Sequence, residues 1–145
     1  MPEREFSAEE ANELVPALHR IVSAQMLVQV ELSETLSRLH ARLGKLPRDI
    51  SVLTSDDEDV AVMKRGVLGL AARLNEGWNQ VAAMGGEVKD PRLGLVDFPG
   101  RIEGERVCLC WRFGEESIAH YHGLDEGFQG RRPLPAPPAR HRLLS

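Results

Sequence analysis

Apolar residues recur at three- and four-residue steps through Ala11, Leu14, Leu18, Ile21, Val28, Leu32, Leu36, Leu39 and Leu43, with Gln25 as a polar interruption. That spacing places them on one stripe of an α-helix over about residues 8–43. Phe6-Ser7-Ala8-Glu9-Glu10 supplies its start: Ser7 can cap the free amides, Glu10 can return the hydrogen bond, and the acidic first turn suits the helix dipole. Pro16 falls inside the pattern and should kink the helix or delay its regular part, because it lacks a donor and clashes with the preceding turn. Gly44 and Pro47 stop it.

After a linker over about residues 45–54, a second stripe of Val60, Met63, Val67, Leu70, Leu74, Trp78 and Val81 predicts a helix over about residues 56–84. Ser55 before Asp56, Asp57 and Glu58 repeats the capping signal, and Gly85-Gly86 ends the segment. The two helices are expected to form an antiparallel hairpin, about 50 Å and about 40 Å long at ~1.5 Å per residue. Helices of that length cannot dry their apolar faces on each other alone. The stripe should therefore meet the rest of the chain or a second copy of it, the latter giving a homodimer through the helices.

Beyond Gly86 the pattern shifts to short apolar runs among glycine and proline, which predicts strands. Leu95 to Ile102 and Glu105 to Phe113 are joined by Glu103-Gly104, a tight-turn pair. In that register Val96, Phe98, Val107, Leu109 and Trp111 share an apolar face that packs on the helices, while Asp97, Cys108, Cys110 and Arg112 share the other. A third strand, Ser117 to His122, has ambiguous parity: one loop length puts His120 and His122 with Trp111 and Leu109, another puts them with the cysteines. The expected fold is α+β, a long antiparallel helical hairpin followed by a small three-stranded antiparallel β-meander over about residues 87–122. A glycine-rich loop over residues 123–131 completes a single domain, 1–131, and residues 132–145 read as a Pro- and Arg-rich flexible tail.

Composition narrows the classes of function. At 145 residues the chain matches one domain. A net charge of -4 and a pI near 5.7 argue against nucleic-acid binding, which calls for a basic surface. Met1-Pro-Glu-Arg-Glu is charged and lacks the apolar core of a secretory signal, and no apolar run is long enough for a membrane span, so the cytoplasm is the expected compartment. Cys108 and Cys110 are too close along one strand to bond comfortably and read as reduced thiols.

Two constellations could carry chemistry. Cys108, Cys110, His120 and His122 would offer thiolates and imidazoles to a transition metal if the histidines share the cysteines' face. However, the spacing is unlike that of zinc motifs, and buried thiols beside partly exposed imidazoles explain it more simply. The second set is Asp97, Arg112, Glu115, His122, Asp125 and Arg131. His122 beside Asp97, Glu115 or Asp125 could work as an acid/base pair, and Arg112, Arg131, Asp97 and His122 could hold a small anionic ligand. The plainer alternative is a structural ion-pair network.

Val88-Lys89-Asp90, Gly94-Leu95-Val96-Asp97-Phe98-Pro99, Cys110-Trp111-Arg112-x-Gly114-Glu115 and Tyr121-His122-x-Leu124-Asp125-x-Gly127-Phe128-x-Gly130-Arg131 stand in one order. Phe6-Ser7 and Ala11-Asn12-x-Leu14-x-Pro16 precede them. Together they resemble a bacterial family known as domain of unknown function 2203, to about Leu134. The resemblance carries no activity, but its motif text contains Asp97, Arg112, Glu115, His122, Asp125 and Arg131. The expected function is a non-enzymatic binding or interaction module that recognises a small anionic ligand or a protein partner through the polar face of the meander. The rival is a small enzyme using His122 with a nearby carboxylate, with or without the help of a metal; a concave, partly dry pocket at His122 would favour it.

Overall fold

The computed structural model describes residues 4–135. Among them are three α-helices, α1 Ala8–Glu13, α2 Val15–Leu43 and α3 Glu58–Ala83, and one five-stranded sheet. The strands are β1 Glu87–Asp90, β2 Leu95–Ile102, β3 Glu105–Arg112, β4 His120–Gly123 and β5 Arg132–Pro133, each antiparallel to the next and in sequence order across the sheet. None of the helices is long and apolar enough to cross a membrane.

Helix α1 opens on a complete capping box, with the Ser7 hydroxyl accepting from the Glu10 amide at 3.0 Å and the Glu10 carboxylate accepting from the Ser7 amide at 2.9 Å. The disturbance expected at Pro16 is a break two residues earlier, at Leu14, so that proline occupies the first turn of α2, where no intrahelical donor is needed. Gly44, at φ 81°, ends α2 in the left-handed region. The start of α3 departs from expectation. Asp57 is its N-cap and makes no side-chain capping bond, while Asp56 instead accepts from the Leu53 amide at 2.7 Å and pairs with Lys64.

Contacts along the hairpin run in opposite directions: Gln25 bonds the Leu74 carbonyl, and Arg42 bonds Asp59. Its base is covered by the sheet. Phe6, Ala11, Leu18, Val22 and Val81 meet Val96, Phe98, Leu109 and Trp111 in one cluster. Each large side chain there stabilises the fold by roughly 1.5–3 kcal/mol. Farther out, Val28 and Leu39 are buried together with Val60, Val67 and Leu70.

The sheet has two strands more than expected. β1 was missed because Glu87-Val88-Lys89-Asp90 holds a single apolar residue, and β5 because it is two residues long and contains a proline. β5 also carries the sheet into the segment read as tail, where Leu134 donates to the Ala119 carbonyl and packs on the core. Residues 136–145 of that tail lie outside the described residues. The predicted β2–β3 register is found, Asp97 facing Cys110 and Phe98 facing Leu109. The two-residue turn carries positive φ at Glu103 (53°) and Gly104 (83°), which matches the twist of a tight hairpin. β4 is shorter than the expected third strand, because Asn12 of α1 takes both backbone groups of Ile118.

Candidate functional site

The β3–β4 register resolves the open parity. Cys108 faces His122 and Cys110 faces His120, so both histidines share the outer face with both cysteines. Asp97 of β2 and His122 of β4 flank β3 on that face, two strand spacings apart, about 10 Å between backbones. Their side chains close the gap above β3, leaving His122 Nε2 at 2.9 Å from Asp97 Oδ2. Both residues are only 3% exposed, although they lie on the side of the sheet away from the helices.

The cover is the loop after β4. A 3-10 turn at Phe128–Gly130 folds back, and Phe128 and Gly127 help line a cavity of about 210 Å³ with Asp97, Cys110, His122 and Lys89. Glu126 sets the loop's shape. It accepts from the Gly123 amide at 2.7 Å and pairs with Arg132 at 2.9 Å, and a Cβ at Gly123 or Gly130 would run into it. Room for the Glu126 side chain thus accounts for two of the loop glycines, a role not visible from spacing. A larger cleft of about 550 Å³ lies alongside, lined by Trp78, Val88, Asp97, Pro99 and Cys108, and Asp97 is common to both hollows.

Hydrogen-bond arithmetic defines the chemistry. His122 Nδ1 is 2.9 Å from the Gly123 carbonyl, which can only accept, so that nitrogen carries a proton. In a neutral ring Nε2 would then present a lone pair to the Asp97 carboxylate, so the 2.9 Å contact requires a further proton between them. Among the described residues, Asp97 Oδ1 and Arg131 Nε are buried without a hydrogen-bond partner. Burial, with the adjacent Asp97 carboxylate, pushes the Cys110 thiol up to about 12. It is therefore a thiol at neutral pH and no thiolate nucleophile.

The remaining candidates form a second group. Arg131 Nη2 donates to both Glu115 oxygens, at 2.9 and 2.7 Å, and lies 3.0 Å from His120 Nδ1. Glu115 also accepts from the Arg112 amide at 2.7 Å. The Arg131 and Arg112 guanidinium groups stand 4.7 and 5.6 Å from the Phe128 ring centre. Asp125 is exposed. The sequence-predicted set therefore divides: Asp97, Cys110 and His122 converge, whereas Glu115, Arg131 and His120 close on one another. Among the described residues, Asp97, Cys110 and His122 are the trio whose donor atoms all lie within 4.8 Å of each other, and Cys108 and His120 fall outside it. Lys89 and Glu126 at the small cavity were missed, though Lys89 sits in the Val88-Lys89-Asp90 text.

A family model described as "Uncharacterized conserved protein (DUF2203)" matches residues 4–134. No curated protein and no solved structure matches the chain.

Proposed function

We propose that this chain, which belongs to the DUF2203 family of uncharacterized conserved proteins, is a small-ligand-binding module whose site is the outer sheet face around Asp97. The observation that carries the reading is Asp97 Oδ1, a buried acceptor without a partner among the described residues, on a residue that lines both hollows. An unmet buried acceptor is costly, which suits a ligand that supplies the missing donor. The cleft of about 550 Å³ falls in the size range of small-molecule sites.

The ligand is one bearing an N–H, an O–H or a positive charge. An anion finds less support: Arg131 gives its Nη2 to Glu115, which leaves its buried Nε beside a carboxylate already in place, and Arg112 is exposed beside Phe128. Acid/base work by His122 itself also finds little, since both ring nitrogens are engaged. The small cavity beside His122 favours one second reading: an enzyme in which Asp97 meets the substrate and His122 holds the proton that Asp97 exchanges.

The proposal includes a reducing, cytoplasmic setting, supported by two cysteines that remain thiols. It also includes self-association along the hairpin, supported by Leu27 and Val30 of α2 and Val62 and Leu68 of α3, all of which stay exposed. A monomeric mass in light scattering would refute the dimer.

A thermal-shift screen tests the binding reading, comparing small amines, amino alcohols and polyols with carboxylates and phosphates. Quenching of Trp78, which lines the cleft, gives a second signal. Amines or alcohols should raise the melting temperature, and Asp97→Asn should abolish the effect. Binding by anions alone, or hits that Asp97→Asn leaves intact, would overturn it.

A further inference from the structure

We propose that an Asp97 carboxylate oxygen, Cys110 Sγ and His122 Nε2 form a three-donor site for a transition-metal dication of the zinc class, with its fourth position open to the small cavity. The inference rests on Asp97 being the ligand-facing group and names the chemistry of what it takes.

Three observations converge. The three donor atoms lie within 4.8 Å of one another, all on buried residues. Donors at about 2.0–2.3 Å from one ion are about 3.5 Å apart in a tetrahedron, so each needs to move by less than about 1 Å. His122 is already set as a ligand, because its Nδ1–H on the Gly123 carbonyl fixes the ring and aims the Nε2 lone pair inward. Asp97 presents one oxygen to that nitrogen and keeps the other without a partner, an arrangement in which a cation satisfies atoms that a single proton leaves short.

The donor set selects the ion. One thiolate, one imidazole and one carboxylate suit zinc and its neighbours, whereas magnesium and calcium call for oxygen donors alone. The protons balance: as the ion enters, the Cys110 thiol proton and the proton between Asp97 and His122 leave to solvent. The site then holds a dication against one thiolate and one carboxylate. Three protein donors facing a cavity of about 210 Å³ leave a place for water or for a small ligand. The wider expectation of Cys108, Cys110, His120 and His122 as a set of four is not part of this proposal, since His120 turns to Arg131 and Glu115.

Cobalt(II) is the probe, titrated into reduced, chelator-treated full-length protein. The expected result is one equivalent bound, with a thiolate-to-cobalt charge-transfer band that zinc displaces. Cys110→Ser should remove the band, Cys108→Ala should keep it, and Asp97→Asn should weaken binding by at least about tenfold. No saturable band, or a band that follows Cys108 instead of Cys110, overturns the metal site. If amines or alcohols still bind through Asp97 while cobalt does not, only the metal inference falls; if neither binds, the reading of Asp97 falls with it.

Discussion

His122 Nε2 stands 2.9 Å from Asp97 Oδ2 while Nδ1 of the same ring stands 2.9 Å from the Gly123 carbonyl, so one buried imidazole bridges a carboxylate and a backbone acceptor. The carboxylate and the ring hold each other in place over β3, which is why neither can be removed without consequence.

Asp97→Ala and Asp97→Asn should separate widely in stability. Alanine removes the carboxylate that partners Nε2 and leaves a hole beside a ring 3% exposed. The expected loss is about 2–4 kcal/mol. Asparagine can donate its amide to Nε2 while Nδ1–H stays on Gly123, so the cost should stay within about 1 kcal/mol. Urea unfolding of the two variants checks this. Equal destabilisation by both would mean that charge, and not hydrogen-bond complementarity, holds the pair.

How far the site was legible depended on the kind of connection. The β2–β3 register was readable because Glu103-Gly104 is a two-residue turn, and such a turn leaves one pairing that buries Val96, Phe98, Leu109 and Trp111 together. Asp97 beside Cys110 followed from it. The histidines were not placeable because residues 113–119 are no hairpin turn. Their path is set by Asn12, which bonds Ile118 from 106 residues earlier in the chain. The hairpin was legible from its period, but Lys64 was not recognisable as buried, since its partners come from the irregular segment before α3. Arg131 reads as a free anion donor only because Glu115, its internal partner, cannot be identified without the fold, whereas the Arg112 guanidinium stands exposed beside Phe128.

Two glycines of α3 should respond oppositely to alanine. A Cβ on Gly77 would overlap the amide of Gln25, which is 3% exposed and donates to the Leu74 carbonyl at 2.8 Å. Overpacking there outweighs the better helix propensity, for a net loss of about 1–2 kcal/mol. Among the described residues nothing lies within 4 Å of such a Cβ on Gly69, so Gly69→Ala should gain up to about 1 kcal/mol. Thermal unfolding of the pair is sufficient. A neutral Gly77→Ala would show that Gln25 can leave its site at little cost.

The Asp56–Lys64 pair should contribute to acid sensitivity. Lys64 Nζ is 3.0 Å from Asp56 Oδ2 and also bonds the Ser51 carbonyl, with Asp49 nearby as a further negative charge. The Asp56 carboxyl is held below its ordinary range, first by the Leu53 amide and then by Lys64. A carboxyl lowered on folding binds its proton more readily in the unfolded chain. Its stabilising contribution is therefore complete above about pH 4 and fades as pH falls through the lower folded value. Asp56→Asn removes that titration, so the stability gap between wild type and variant should be constant near neutrality and shrink below about pH 4. Melting temperatures of both proteins from pH 7 down to about pH 2.5 measure it, and a gap that stays constant over the whole range would show that Asp56 acts as a hydrogen-bond acceptor alone, independent of its charge.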